Sequence, residues 1–109
     1  MSLDFTHLHV HTQFSLLDGL CKDEDLATAA KAYGMDALAI TDHGAMYGTI
    51  HFYNTIRNAG IKPIIGMEAY YTAGNRADKS REFKTNHLLL LAKNLEGYKN
   101  LIQLSSIAH

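Results

Sequence analysis

The sequence predicts an α/β fold in which parallel strands alternate with flanking helices. Short apolar runs alternate with stretches of helical periodicity along the chain. Several of these runs are almost wholly apolar, which is typical of strands buried on both faces, as in parallel sheets. The order β-α-β-α-β-loop-β-α indicates right-handed βαβ units. Such units build either an open doubly wound sheet or part of a barrel.

Four segments are predicted to be strands. Phe5–Val10 alternates between apolar and polar residues, and Ala37–Thr41 is a short apolar run. Pro63–Tyr71 is rich in Ile and Tyr, and His87–Ala92 is almost wholly apolar. No G-x-G-x-x-G sequence follows any of these runs, so the fingerprint of a dinucleotide-binding fold is missing.

Three segments have the apolar spacing of amphipathic helices. Asp23–Tyr33 has acidic residues in its first turn, and Ala45–Ala59 is followed by Gly60, a residue that commonly ends helices. Asn94 is the expected N-cap of a last helix over Leu95–Ala108. The residues of that helix predicted to face inward are Tyr98, Leu101, Ile102 and Leu104.

The third and fourth predicted strands are joined by a long polar connection, Ala73–Asn86. It carries four basic and two acidic residues, so its local charge is +2. A loop of this length is often functional, and an ordinary solvated surface loop is the equally weighted alternative.

Length and composition restrict the class of protein. The chain has 109 residues, which fits one small domain at most. With 47% apolar residues, 19% charged residues and a net charge of −1, it is neither a disordered chain nor a strongly basic nucleic-acid binder. No apolar run approaches the roughly 20 residues of a membrane helix, and no secretory signal is visible. Met1–Leu3, which could be vector-derived, carries no weight.

The single cysteine, Cys21, cannot form a disulfide within the chain. Its isolation favours a reducing, cytoplasmic location. We expect it to act as a small apolar filler.

The first candidate site lies in the segment His7–Thr12. On a strand His7, His9 and His11 share one face, while Leu8 and Val10 share the other. Neutral imidazoles are good ligands for Zn, Mn or Fe, and a divalent ion would relieve the crowding of three such rings. The alternative is a polar face of an edge strand. We favour His9 and His11 as ligands, with His7 as a supporting or packing residue.

The second candidate site is Thr41–Gly44, directly after the second predicted strand. Sites in parallel α/β folds gather where strands end and helices begin, so His43 is a candidate ligand. Asp42 is either a ligand or a supporting residue that holds the tautomer of His43. In the alternative interpretation it only caps the following helix.

Three further residues extend the candidate set. Glu68 lies in an apolar run, where a carboxylate is costly to bury unless it is paired or metal-bound; a solvent-facing Glu on an edge strand is the alternative. Asp18 precedes Gly19, and this pair is also a plain turn signal. His87 begins its strand, the wrong end for the site unless the strand starts later or runs in the opposite direction. His51 and His109 are expected to be structural or incidental.

Together these residues offer more nitrogen and oxygen ligands than one ion requires. Two or three metal ions a few ångströms apart suit phosphoester hydrolysis, because one activates water while others hold phosphoryl oxygens. No P-loop, nucleophile elbow or Ser-His-Asp arrangement competes with this interpretation.

At these residues the sequence resembles the PHP family (polymerase and histidinol phosphatase). The family's motifs H-x-H and T-D-H read HVH at 9–11 and TDH at 41–43. Three longer blocks are similar to the PHP domains at the N-terminus of bacterial replicative DNA polymerases: HLHVHTQFSLLDG, ALAITDHGAMYGTIHFYNTIRNAGIKPIIGMEAYYT and NHLLLLAKNLEGYKNLIQLSSIAH. The chain runs from GMEAYYT into HLLLLAKN, so it resembles the type without an inserted exonuclease.

This resemblance implies a multinuclear site of divalent Zn, Mn or Fe ions with a metal-activated water. Carried over position by position, the implied metal ligands are His9, His11, Asp18, His43, Glu68 and His87. It also implies a parent chain that copies DNA by nucleotidyl transfer, and it permits a phosphoesterase or 3′–5′ proofreading exonuclease role for the PHP site. The implied partners are the rest of the polymerase chain, DNA and other replisome subunits, without a membrane.

The complete PHP domain resembles a distorted (β/α)7 barrel, which takes about 200 residues or more. Residues 1–109 are therefore expected to be an incomplete, N-terminal part of it, about half. Open sheet edges and an apolar face predict self-association, weak metal binding and little activity for this part alone. Two alternatives remain open: a free-standing phosphatase similar to histidinol phosphatase, and a structural module without catalysis.

Overall fold

The computed structural model describes residues 4–15, 19–72 and 85–108. Its elements are α1 (Asp23–Ala32), β1 (Ala37–Ile40), α2 (Thr49–Asn58), β2 (Lys62–Tyr71), β3 (Asn86–Leu91) and α3 (Leu95–Ala108). The predicted ligand Asp18, residues 73–84 of the polar connection, Met1–Leu3 and His109 lie outside the described residues.

The three strands form one sheet in the order β1-β2-β3. β1 and β2 are parallel, with Ala37 opposite Lys62, and α2 connects them. β2 and β3 are antiparallel, with Tyr71 opposite Asn86. The α/β class is confirmed, but the prediction of parallel strands is wrong for β3. A parallel neighbour requires a long crossover, usually a helix, and the sequence between β2 and β3 has no helical periodicity.

The first predicted strand, Phe5–Val10, lies beside β1 but does not become a ladder strand. The N–H of Ala39 donates to the carbonyl of His7 at 3.2 Å, and the N–H of Thr41 donates to the carbonyl of Val10 at 2.8 Å. The N–H of Val10 donates instead to the side-chain hydroxyl of Thr41 at 2.8 Å. A side chain thus takes the place of the main-chain acceptor that would continue the ladder. The segment still follows the edge of β1.

Two helices match their predicted ranges closely, and α2 is shorter than predicted. α2 begins at Thr49 rather than Ala45 because a turn comes first, in which the N–H of Thr49 donates to the carbonyl of Met46 at 3.2 Å. Asn94 caps α3 as predicted, since its Oδ1 accepts the N–H of Gly97 at 2.9 Å.

The hydrophobic core lies where α1 and α2 pack against the β1 side of the sheet. It consists of small residues from α1, the aliphatic residues of β1 and one face of α2, and its buried members are Ala27, Ala30, Leu38, Ile40, Phe52, Ile56 and Ile61. This packing fixes the two helices whose preceding loops carry candidate site residues.

The described residues leave much apolar surface on α3 and β3. Leu101 of α3 is buried, whereas Ile102 and Leu104 are exposed, so the prediction that these two face inward is wrong. Leu88 on the outer strand is 46% exposed. No described element covers these side chains, although their periodicity is that of an inward face. None of the described helices combines the length and apolar character needed to cross a membrane.

Candidate metal centre

The candidate site forms where the N-terminal segment, the loop after β1 and the end of β2 meet. The hydrogen bonds between Thr41 and Val10 place the His9–His11 segment directly beside the end of β1. Because the parallel strands β1 and β2 end at the same edge, Glu68 comes to lie next to the residues that follow β1.

Backbone contacts extend the β1–β2 pairing beyond the last residue of β1. His43 forms an isolated parallel bridge with Glu68. The N–H of Glu68 donates to the carbonyl of Asp42 at 3.0 Å, and the N–H of Gly44 donates to the carbonyl of Glu68 at 2.9 Å. The side chains of His43 and Glu68 are therefore positioned by main-chain hydrogen bonds rather than by loop packing alone.

The Glu68 carboxylate is shared among four imidazole rings. Its Oε1 atom lies 2.6 Å from Nε2 of His9, and its Oε2 atom lies 2.5 Å from Nδ1 of His43. The same Oε2 atom lies 3.2 Å from Nε2 of His11 and 3.6 Å from Nδ1 of His87. Glu68 itself is only 4% exposed. The alternative of a solvent-facing edge glutamate is wrong, because this carboxylate points into the cluster.

The antiparallel direction of β3 explains how His87 reaches this edge. His87 pairs with Tyr70, two residues beyond Glu68, so its side chain lies on the same sheet face as Glu68 and diagonal to it. Because β2 and β3 are antiparallel, the first residues of β3 lie beside the last residues of β2. The apparent conflict between the position of His87 and the location of the site is thus resolved by strand direction.

Five side chains of the described residues make two overlapping groups with metal-ligand geometry. One group is His9, His11 and Glu68, and the other is His43, Glu68 and His87; within each, the potential ligand atoms lie within 4.8 Å of one another. Each group combines two imidazole nitrogens with one carboxylate, a donor set that suits Zn, Mn or Fe. The donor chemistry therefore fits divalent ions.

Opposing effects act on the pKa of Glu68. Burial alone would raise it, since a desolvated carboxylate resists ionisation. The electrostatic effects of His43, His9 and His11, together with the hydrogen bond from His9, outweigh burial and hold the pKa of Glu68 below its usual range. The carboxylate is consequently ionised at neutral pH, as a metal ligand must be.

Asp42 holds two segments of the site together, while its predicted role toward His43 stays a prediction. It is 2% exposed, and its carboxylate accepts the backbone N–H of Thr12 at 2.6 Å and the hydroxyl of Thr12 at 2.8 Å. Burial raises the pKa of Asp42 against these two bonds. Capping of the next helix is wrong, because α2 begins at Thr49. Asp42 instead ties the loop after β1 to the N-terminal segment.

Two other predictions concern residues away from the cluster. His7 is exposed, and its ring packs edge-on against Phe5 with centroids 4.8 Å apart. Cys21 is also exposed, so its prediction as a buried filler is wrong; the loop that carries it is held by its backbone carbonyl.

Comparison with known proteins agrees with the geometry. The model of the PHP domain family matches residues 7–109. The chain belongs to the PHP domain family. The DNA polymerase III subunit alpha of Aquifex aeolicus is 48% identical over 117 residues, covering 100% of this chain and 10% of that protein. The corresponding subunit of Helicobacter pylori strain 26695 is 50% identical over 105 residues, covering 96% and 9%. The chain thus spans about a tenth of these relatives' length.

Solved structures share the fold of this PHP chain. An amidohydrolase from Chromobacterium violaceum superimposes with a TM-score of 0.63 at 23% identity, covering 90% of the chain and 32% of that protein. A protein named as a metal-dependent phosphoesterase, from Bifidobacterium adolescentis, gives a TM-score of 0.62 at 23% identity with the same coverage. At this identity the likeness concerns the fold alone.

The PHP site also contains residues that sequence reasoning missed. The ring of Tyr70 is nearly parallel to that of His43 and perpendicular to that of His87, with centroids 6.2 and 5.1 Å away. The Ser15 hydroxyl accepts the backbone N–H of His43 at 3.0 Å. Tyr70 could have been found from its spacing, because it is two residues beyond Glu68 on the same face. No local signal identifies Ser15.

Proposed function

We propose that residues 1–109 form the N-terminal part of the PHP domain of a longer replicative DNA polymerase chain, DNA polymerase III subunit alpha. In this proposal the complete domain is a distorted (β/α)7 barrel, and this chain supplies about half of it. The relatives that are 48% and 50% identical over nearly the whole chain support the proposal. They favour it over a free-standing phosphatase of the histidinol phosphatase type.

We further propose that the site holds two or three divalent ions for phosphoester hydrolysis. The observation that carries this proposal is the single buried carboxylate of Glu68 facing four imidazoles. His9 and His11 would hold one ion with Glu68, and His43 and His87 would hold another with it. Asp18 is proposed as a further ligand from the family resemblance alone. Bound ions would supply an activated water and the charge that holds phosphoryl oxygens.

The residues of the chain prepare the site before any ion binds. The pKa of Glu68 is held below its usual range, so metal binding does not first require loss of a proton from this carboxylate; the imidazoles that bind an ion must themselves be neutral. Asp42 and Thr12 fix the two ligand-bearing segments relative to each other. The substrate we propose is a phosphodiester, in particular the 3′ end of DNA, which makes the role a 3′–5′ exonuclease. DNA synthesis itself would use parts of the longer chain, in the cytoplasm with other replisome subunits.

Metal content and hydrolysis test this proposal in the full-length polymerase chain. Purified without metal, the wild type is titrated with Mn²⁺ and with Zn²⁺, and cleavage of a chromogenic phosphodiester and of a DNA 3′ end is followed. Glu68→Gln and His11→Ala should lower metal affinity by at least about 10- to 100-fold, the loss that mutation of an outer-shell partner already causes, and should abolish cleavage. His7→Ala, an exposed histidine in the same segment, is the matched control and should change neither.

The outcomes separate the competing functions. Metal binding that depends on Glu68 without any cleavage would favour the structural module. Unchanged metal content in both site variants would overturn the metal centre.

For the 109-residue chain alone we expect weaker binding, little turnover and self-association through exposed apolar residues such as Leu88 and Ile102. Sedimentation showing a stable monomer at high concentration would contradict the last expectation.

A further inference from the structure

A histidine–carboxylate pair lies outside the cluster, between the first turns of α1 and α2. Asp23 is completely buried, and its Oδ2 atom lies 2.5 Å from Nδ1 of His51. The other ring nitrogen of His51 lies 3.4 Å from a carboxylate oxygen of Glu24. Among the described residues the Oδ1 atom of Asp23 has no hydrogen-bond partner. A buried carboxylate with so few contacts depends strongly on the histidine that pairs with it.

The pair connects the far ends of two segments that carry candidate ligands. Asp23 is the first residue of α1, and the segment that carries His9 and His11 ends where this helix begins. His51 lies in the first turn of α2, and the loop that carries Asp42 and His43 ends where this helix begins. The same two segments are joined at their other ends by the bonds from Thr12 to Asp42. Two sets of contacts therefore join the two segments, one beside the cluster and one away from it.

Further contacts join described residues that lie between these two sets of hydrogen bonds. The N–H of Gln13 donates to the carbonyl of Cys21 at 2.8 Å, so these two residues of the N-terminal segment lie side by side. The ring of Phe14 lies so close to Gly48 that a Cβ there would come within 2.5 Å of it. The same ring lies 6.0 Å from the ring of His51. The ring of Phe14 therefore lies between His51 and the segment of Thr12, beside the loop that ends at Gly48.

We propose that Asp23 and His51 are positioning residues that fix the described residues 9–15 and 19–22 relative to residues 41–48, so that metal retention depends on a pair that does not touch the cluster. This inference rests on the proposed metal-binding function. The shared hydrogen bond favours charged imidazole and so raises the pKa of His51. The contact is correspondingly tighter than that of a neutral pair. The sequence around His51 has no motif that indicates this role, since the residue lies within a predicted helix.

The test measures metal affinity and local exchange in the full-length chain. The variants are His51→Ala, which removes the contact, and His51→Asn, whose amide can still donate to Asp23. The control is Ile56→Val or Ile56→Ala, whichever lowers the Tm as much as His51→Ala does. Ile56 is a buried residue of the same helix that does not join the two segments. Mn²⁺ alone is the probe, and hydrogen–deuterium exchange is recorded on the metal-free proteins.

If the pair positions the two segments, His51→Ala should weaken Mn²⁺ binding about tenfold, as loss of a supporting contact does. The Mn²⁺ affinity of the Ile56 control should stay within about twofold of the wild-type value. His51→Asn should recover most of the affinity. In the metal-free proteins, the amides of Thr12, Gln13 and His43 should exchange faster only in His51→Ala. Equal affinities in His51→Ala and its Tm-matched control would overturn the inference, as would unchanged exchange. If the wild type binds no metal, the proposed function fails, and the exchange data alone decide the positioning role.

Discussion

The carboxylate of Asp42 accepts both polar hydrogens of Thr12, the backbone N–H at 2.6 Å and the hydroxyl at 2.8 Å. The two residues are 30 positions apart in the chain, and both are almost completely buried. This bond pair joins the segment of His11 to the loop of His43. Since the rings of His11 and His43 lie 4.1 Å apart, small shifts between the segments would separate them.

Removal of the Asp42 carboxylate is expected to destabilise the fold. Asp42→Ala leaves two buried donors of Thr12 without an acceptor and should cost about 2–4 kcal/mol of unfolding free energy. Thr12→Val removes only the hydroxyl and should cost about 1–2 kcal/mol. Urea denaturation of both single variants and the double variant measures the coupling. The double variant should lose clearly less than the sum; simple additivity would show that the two residues do not interact.

A side chain at Gly44 is expected to be destabilising because of the backbone conformation there and the nearby ring of Tyr70. The φ angle of Gly44 is 61°, and a Cβ there would lie 3.1 Å from the ring of Tyr70. Gly44→Ala should lose about 1–2 kcal/mol of stability from the left-handed backbone and should also weaken metal binding by displacing Tyr70.

Gly60 provides the matched control for this substitution. Its φ angle is 81°, and a Cβ there would meet nothing within 4 Å. Gly60→Ala should therefore show a similar loss in urea denaturation with unchanged Mn²⁺ affinity. Equal metal affinities in the two variants would contradict a role for the Gly44–Tyr70 contact.

Tyr70 is expected to support the histidines through its ring rather than its hydroxyl. Aromatic pairs contribute about 0.5–1.5 kcal/mol beyond their burial, so Tyr70→Ala should weaken Mn²⁺ binding by about 2- to 10-fold. Tyr70→Phe keeps the ring beside those of His43 and His87 and should bind like the wild type. Calorimetric titration of both variants decides the point. Equal losses in both would assign the role to the hydroxyl instead.

The contribution of His51 to stability is expected to fall at alkaline pH. Its pKa is raised by the hydrogen bond to Asp23, against partial desolvation, with further support from the charges of Asp23 and Glu24. A raised histidine pKa means that the stabilisation is fully present below the unfolded value of about 6.5 and is lost as pH rises through the folded value.

The measurement is the difference in unfolding free energy between wild type and His51→Asn. It should be largest near pH 6 and should shrink as the pH is raised above the folded pKa of His51. Burial also raises the pKa of Asp23, against the hydrogen bond and charge of His51, so the two groups titrate as a pair. A difference that is constant from pH 6 to the alkaline limit would show that the protonated imidazole has no part in the pair.

Local sequence patterns were sufficient for most elements of this fold. The 3.6-residue periodicity and the cap at Asn94 located α3, because these signals depend on neighbours within a turn. The same patterns failed for Phe5–Val10, where a hydroxyl of Thr41 replaces a ladder acceptor. They also failed for Ile102 and Leu104, because periodicity shows that a face is apolar but not whether another element covers it.

The sequence by itself determined which groups are candidate metal ligands and roughly where they lie: histidines and a carboxylate at the ends of short apolar runs. Tertiary structure alone decided that Glu68 is shared by four imidazoles, that Asp42 holds Thr12, and that His51 holds Asp23. It also decided that β3 runs antiparallel, which brings His87 to the site. The physical reason is that apolar periodicity depends on local geometry, whereas strand direction and contacts between distant residues depend on how separate elements pack.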